Sequence, residues 1–206
     1  MKKIIKPTVD CVFKAILGSN ENKSLLINFL NAVLGLIKGQ FIKDVHILNP
    51  YNEKEFKDKL FSPEKGAVDQ ADKYLHLNFK PYDVNAKIYL SNHLDIHVLQ
   101  LPFFKKEQLI QDDKDRWLYF FKEGQNLEIN NLPKYLKTKE IMKAMETLNH
   151  FSNDQKAYLL YQDRLEATRV ASTWQSLLKQ KDSEIQMKDS EIKKLRTLIH
   201  QMGGQA

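Results

Sequence analysis

The sequence predicts an α+β chain: two short amphipathic helices and a set of short strands, then a helical C-terminal region that ends in one long helix. Three observations carry this expectation. Apolar residues recur at helical spacing between 22 and 34, and they alternate along 94–98. From Ser152 to Gly203 neither proline nor glycine interrupts the chain.

The elements follow in order. Thr8 or Asp10 can cap a short helix that runs through Leu17 and stops at Gly18. A second helix is expected from Asn22 to Leu34. There Leu25, Leu26, Phe29, Leu30 and Val33 share one face, and Gly35 supplies the C-terminal stop. Phe41–Leu48 reads as a strand closed by Asn49-Pro50. The pattern is lost from Tyr51 to Asp72, where charges crowd together and Ser62-Pro63 and Lys65-Gly66 mark a loop. Strand signals return at Tyr74–Tyr82 and Lys87–Leu90 around an Asp83-Val84-Asn85-Ala86 turn, and again at Leu94–Leu101 before Pro102. These make an antiparallel meander backed by the Ala15–Leu34 helices.

Asp112 or Asp113 can cap the next helix, which carries Trp117, Phe120 and Phe121. Leu132-Pro133 breaks the chain, and Ile141, Met145, Leu148 and Phe151 form a further stripe. Ser152-x-x-Gln155 has the form of a capping box for the long helix. In that helix Leu178, Ile185, Ile192 and Ile199 recur every seven residues, as the a positions of a heptad do. The d positions are then Trp174, Lys181, Lys188, Leu195 and Met202, so two of the five are lysines and the seam is weak. In a parallel homodimer Glu184 would meet the partner's Asp189, whereas Glu184–Lys188 and Asp189–Lys193 are favourable pairs within one helix. A solvated single helix, a hetero-association through residues 171–202 and a homodimer all remain open.

Composition sets outer limits. A chain of 206 residues holds one ordinary domain plus an appendage. Hydrophobic residues at 42% allow a core, while 28% charged residues and a mean hydropathy of −0.50 indicate a solvated extension. No apolar run approaches the about 20 residues that span a bilayer, so no membrane partner is expected. The basic start is followed by Asp10 and Lys14 and does not read as a secretory signal. Cys11 is the lone cysteine, and a reducing cytoplasm is the simplest compartment. The net charge of +6 comes almost entirely from lysine, since arginine occurs only at 116, 164, 169 and 196. Lysine is a point charge without the planar fork that reads bases. Two readings stand: sequence-nonspecific attraction to a DNA backbone, or a lysine-rich solvated surface.

Most chemistries are excluded. The histidines at 46, 76, 93, 97, 150 and 200 form no Cys/His ligand set, and no glycine-rich phosphate loop or Gly-x-Ser-x-Gly elbow exists. His93 and His97 would lie on one side of a strand, yet far apart. Cys11 has no basic neighbour to activate it and reads as a small buried hydrophobe.

One further pattern has a direction. The blocks Lys6-Pro7-Thr8-Val9-Asp10-Cys11-Val12-Phe13-Lys14-Ala15-Ile16-Leu17-Gly18 and Asn28-Phe29-Leu30-Asn31-Ala32-Val33-Leu34-Gly35 open the chain. Leu94–Phe103 and Asp113-x-Asp115-Arg116-Trp117-Leu118 follow later, with Tyr74–Phe79 between. Together they resemble the recombination-promoting nuclease and transposase family, a branch of the PD-(D/E)XK nucleases. The resemblance implies a PD-(D/E)XK-like α/β core and a magnesium-dependent DNA endonuclease. Such a site takes one acid from a strand and an Asp/Glu-x-Lys from its neighbour, to hold the metal and position the attacking water. In the family these strands follow the Asp-Lys-Leu that stands here at 58–60. This chain continues instead into Phe61-Ser62-Pro63-Glu64-Lys65, and Pro63 and Gly66 argue against a central strand.

The resemblance thus implies a truncated core over 1–110 with a seam at 51–73, a helical subdomain over 111–151 and the long helix over 152–206. Glu55-Phe56-Lys57 matches Glu-x-Lys by letter but sits in a loop. Asp83 and Asn85 read as turn residues, and Asp95-Ile96-His97 with Gln100 reads as a late structural strand. No catalytic residue is intact. Asp10 and Glu21, in the family-matched helical opening, are leftover metal-ligand candidates, with a helix cap and a first-turn acid as their structural alternatives. Lys14 and Lys23 are the candidates for DNA contact. No cofactor is expected unless a magnesium site survives. The leading expectation is a degenerate family member without catalysis, beside an active magnesium-dependent endonuclease and a coiled-coil interaction protein.

Overall fold

Four helices that each bury one face on the others make the core of the N-terminal unit. The computed structural model describes residues 3–36, 39–47, 74–90, 95–105, 110–201 and 203. The chain divides into two compact units, Met1–Tyr161 and Gln162–Ala206. Together they are α+β. In the first, α1 (Asp10–Leu17) and α2 (Lys23–Leu34) pack with α3 (Asp113–Glu123) and α4 (Lys139–Asn153). Val12, Ile16, Leu17, Leu25 and Val33 meet Trp117, Leu118, Phe120, Phe121, Ile141, Ala144, Met145 and Leu148 there, all buried. Leu26, Phe29 and Leu30, from the face read for α2, are half-buried.

The helix ends follow local chemistry, with two corrections. Gly35 closes α2 in the left-handed region at φ 61°, where a Cβ is disfavoured. Asp112 accepts from the Asp115 N–H at 2.8 Å, which settles the choice between 112 and 113 as the cap of α3. At α1 the capping position is Val9, without a side-chain bond, and Asp10 is the first helical residue. Neither Thr8 nor Asp10 caps it. Ser152 does not begin the last helix either, because α4 continues to Asn153 and the Ser152 hydroxyl donates to the Asn149 carbonyl. Asp154 takes that role, accepting from the Ala157 N–H at 2.8 Å at the start of α5 (Gln155–Gln201).

The strands pair differently from a meander. β1 (His76–Phe79) lies antiparallel to β4 (Ile96–Leu99), and β2 (Tyr82–Asp83) lies antiparallel to β3 (Ile88–Tyr89) between them. The order is that of one long hairpin with an inner and an outer ladder. His76 opposes Leu99 and Phe79 opposes Ile96, whereas Tyr82 opposes Tyr89. Two residues separate the ladders on one arm and six on the other, so the register shifts between them. Asp83 makes the turn, its Oδ1 accepting from the Asn85 and Ala86 N–H groups at 2.9 and 2.7 Å. Ile96 is 51% exposed. No strand residue of the hairpin is fully buried, and the α1 and α2 faces are used on other helices.

Residues 41–47 lie outside any strand, against expectation. The reason is a side chain. Asn31 accepts from the Ile42 N–H at 2.8 Å and donates to the Ile42 carbonyl at 3.1 Å, satisfying both backbone groups that a neighbouring strand would have taken. The segment expected as the seam, 51–73, lies outside the described residues, as do Glu55, Lys57, Asp58, Asp69 and His93.

The first turns of α5 belong to the first unit. Tyr161 is buried, and its hydroxyl accepts from the Lys6 N–H at 3.1 Å. Lys3 sits 4.2 Å above the Tyr158 ring. Gly124, at the end of α3, has no room for a side chain, since a Cβ would lie 2.9 Å from Pro7 Cγ.

Candidate functional site

The four candidate residues occupy the openings of the first two helices. Asp10 begins α1 with its side chain half exposed, and its Oδ2 lies 3.6 Å from Lys14 Nζ one turn on. Glu21 is exposed in the 3-10 turn Asn20–Asn22 that joins α1 to α2. Its backbone carbonyl, not its carboxylate, receives the Lys143 ammonium at 2.7 Å. Lys23 begins α2 and donates to Asp44 Oδ1 at 3.2 Å. That bond, with the Val45 N–H and the Lys23 charge behind it, holds the exposed Asp44 carboxyl below its usual range.

Each candidate lysine therefore already has an acid partner. Asp10 and Lys14 are brought together, as are Lys23 and Asp44.

A hard cation needs several oxygens converging on one point. Among the described residues no three His, Cys, Asp or Glu side chains come close enough to hold a metal ion. Asp10 faces Lys14, and Glu21 projects from a separate turn. The residues described do not fit magnesium. Asp83 accepts two backbone N–H groups, and Asp95 lies 3.8 Å from Lys80 across the hairpin. Both are engaged in holding that hairpin.

The motif residues do converge, but on structure. Asn28 of α2 accepts from the buried Trp117 indole N–H at 2.6 Å and donates to Asp113 Oδ2 at 3.2 Å. Asp113 Oδ1 takes the Arg116 guanidinium at 2.5 Å, and Arg116 Nε reaches the Tyr135 carbonyl at 2.9 Å. Phe29 meets Trp117 and Phe121 edge to face, each at 5.7 Å between ring centres, and Phe13 lies 5.4 Å from Phe121. The blocks around 13, 28 and 116, far apart in sequence, form one clasp. Asn28, Asn31, Ala32, Phe41, Asp112, Asp113 and Lys114 line a shallow cleft of about 250 Å³ beside it.

A histidine pair went unread in the sequence. His76 Nε2 lies 2.9 Å from His97 Nδ1 on the neighbouring strand. Burial, then the charges of His97 and Lys114, push the His76 pKa down. The signal was present only in the register: His97 opposes Asn78, two residues from His76 on the same face. In the sequence His97 reads beside His93 or within Asp95-Ile96-His97, not with His76.

Among the described residues, no helix is long and apolar enough to cross a membrane. No curated protein and no solved structure matches the chain. The sequence model of the PD-(D/E)XK nuclease family transposases matches residues 7–62 and 64–176. Its break at Pro63 falls within the segment expected from the sequence as the seam, and partial coverage fits an internal deletion. The match spans α1, α2, the hairpin, α3, α4 and the first part of α5, including both halves of the clasp. By that match the chain belongs to the PD-(D/E)XK nuclease family transposases.

Proposed function

We propose that this chain is a degenerate member of its family, one that keeps the packing frame, lacks DNA cleavage, and has a residual capacity to bind DNA or protein. The observation that carries the reading is the disposition of the acids. Asp10 and Glu21, the two candidates left in the family-matched opening, do not converge with a third ligand among the described residues. In this reading residues 1–110 are a truncated PD-(D/E)XK-like core, 111–151 a helical subdomain and 152–206 the long helix.

DNA contact in this reading is made with backbone phosphates. Lys14 and Lys23 would each have to exchange an acid partner for a phosphate, so each adds little. Binding to a short duplex rests on lysine–phosphate attraction and, followed by fluorescence anisotropy, should fall steeply as salt rises.

The deciding experiment incubates purified protein with supercoiled plasmid and magnesium or manganese. The expected result is no nicking above a mock preparation. Cleavage that vanishes with Asp10→Ala or Glu21→Ala would overturn the proposal in favour of an active endonuclease with a rearranged site.

A second reading draws on α5. Its heptad residues Trp174, Leu178, Ile185, Ile192, Leu195 and Ile199 are all exposed. A solvated helix gains nothing from such a row, whereas a helix that docks on a partner does.

A further inference from the structure

The histidine pair of the hairpin has the spacing of a chelate. His76 on β1 and His97 on β4 occupy diagonal positions on one face, since His97 opposes Asn78 and His76 opposes Leu99. Both residues are half-buried, so solvent reaches them. Their facing ring nitrogens stand 2.9 Å apart. A metal–imidazole bond is about 2.0–2.1 Å long. Two such bonds meeting at a right angle place their nitrogens about 2.9 Å apart, and at the tetrahedral angle about 3.3–3.4 Å. The pair thus has the bite of a square-planar or octahedral corner, the geometry of copper(II) and nickel(II).

Ring centres 5.1 Å apart mean that the two nitrogens point at each other, as in a hydrogen bond. Chelation turns each ring by about 30°, within the broad χ2 range of histidine, so that both lone pairs meet off the line between them. The proton of the hydrogen bond moves to the outer nitrogen of its own ring, and neither ring changes charge.

The surroundings select the class of ion. Asp95 shares this face but is held by Lys80 at 3.8 Å across the hairpin, and Lys114 of α3 acts on His76 by its charge. A hard cation, which is held by charged and carbonyl oxygens, finds two lysines and one engaged acid here. A borderline transition metal takes neutral imidazole through directed bonds and needs no carboxylate.

We propose that His76 and His97 form a bidentate site for a divalent transition-metal ion of tetragonal preference, copper(II) before nickel(II), with water completing the coordination. Bound there, the ion bridges β1 and β4 and fastens a ladder whose residues are at most half-buried. The site uses none of the acids of magnesium chemistry, so it stands or falls apart from the loss of cleavage.

The test titrates copper(II) into the untagged full chain. One equivalent should bind ahead of any others, with an electron paramagnetic resonance spectrum that shows two nitrogen ligands. His76→Phe and His97→Phe should each weaken that equivalent about 10²-fold, because chelation is lost. His150→Phe, exposed on α4, should leave it unchanged. A second readout needs no variant: in the NMR spectrum of the parent chain, substoichiometric copper(II) should broaden the amide signals of 76–79 and 96–99 before those of α4 and α5. Broadening that begins on either helix, or a first equivalent that keeps its affinity in either single variant, would overturn the proposal.

Discussion

Replacing Asn28 with alanine isolates the junction between the two family blocks. The Trp117 indole is buried, and its N–H has Asn28 Oδ1 as partner at 2.6 Å. Truncation leaves that donor in an apolar aromatic cluster with no acceptor, which costs about 1–3 kcal/mol. The Asn28–Asp113 bond is partly exposed, and its loss adds about 0.5 kcal/mol. The expected destabilisation is therefore about 1.5–3.5 kcal/mol. Urea unfolding followed by tryptophan fluorescence measures it, in a Trp174→Phe background so that Trp117 alone reports. Trp174 is 63% exposed, so its removal should not disturb the first unit. In a double-mutant cycle read by circular dichroism, because Trp117→Phe removes the fluorophore, Asn28→Ala should cost clearly less when Trp117 is already Phe, since the orphaned donor is then absent. An Asn28→Ala protein within about 0.5 kcal/mol of the parent would refute the clasp as a stabilising feature.

Four shorter expectations follow. Tyr161→Phe removes the acceptor of the Lys6 N–H and should cost about 1 kcal/mol in the same urea assay; no change would mean that water serves Lys6 equally well. Gly35→Ala, at φ 61°, should cost about 1 kcal/mol in the same assay; an unchanged midpoint would refute the left-handed requirement. The lowered His76 pKa makes its neutral form part of the fold. Its contribution is full above pH 6.5 and is lost as pH falls below that value through the folded pKa, so hairpin amides should exchange faster at pH 5 than at pH 7.5 after correction for intrinsic rates, an excess that His76→Phe abolishes. Tyr119 is pushed up to about 12, first by burial and then by its hydrogen bond with Tyr135, so stability should fall as pH rises from 10 toward 12; a Tyr119→Phe protein should show a shallower loss in an alkaline unfolding series.

Much of the fold was legible because helices are local. Leu25 and Val33 lie on one face by spacing alone, Gly35 supplies the only backbone that ends α2 without strain, and Asp83 makes its turn from bonds two and three residues away. Partner choice could not be read this way. Residues 41–47 have strand composition, yet Asn31, on a helix ten residues earlier, takes the Ile42 backbone. Asp154 displaces Ser152 as a cap because the preceding helix extends over Ser152. The hairpin's nested ladders and the His76–His97 contact depend on register, which alternation within one strand leaves open. The sequence by itself determined which stretches become helix and where Gly35 and Asp83 stop or turn the chain, features that depend on residues within a few positions. Only the tertiary structure decided that Asn28, Asp113, Arg116 and Trp117 form a clasp and that Lys23 pairs with Asp44. A side-chain hydrogen bond between distant positions costs the chain its order first, and only the packed core that holds both ends in place makes it form.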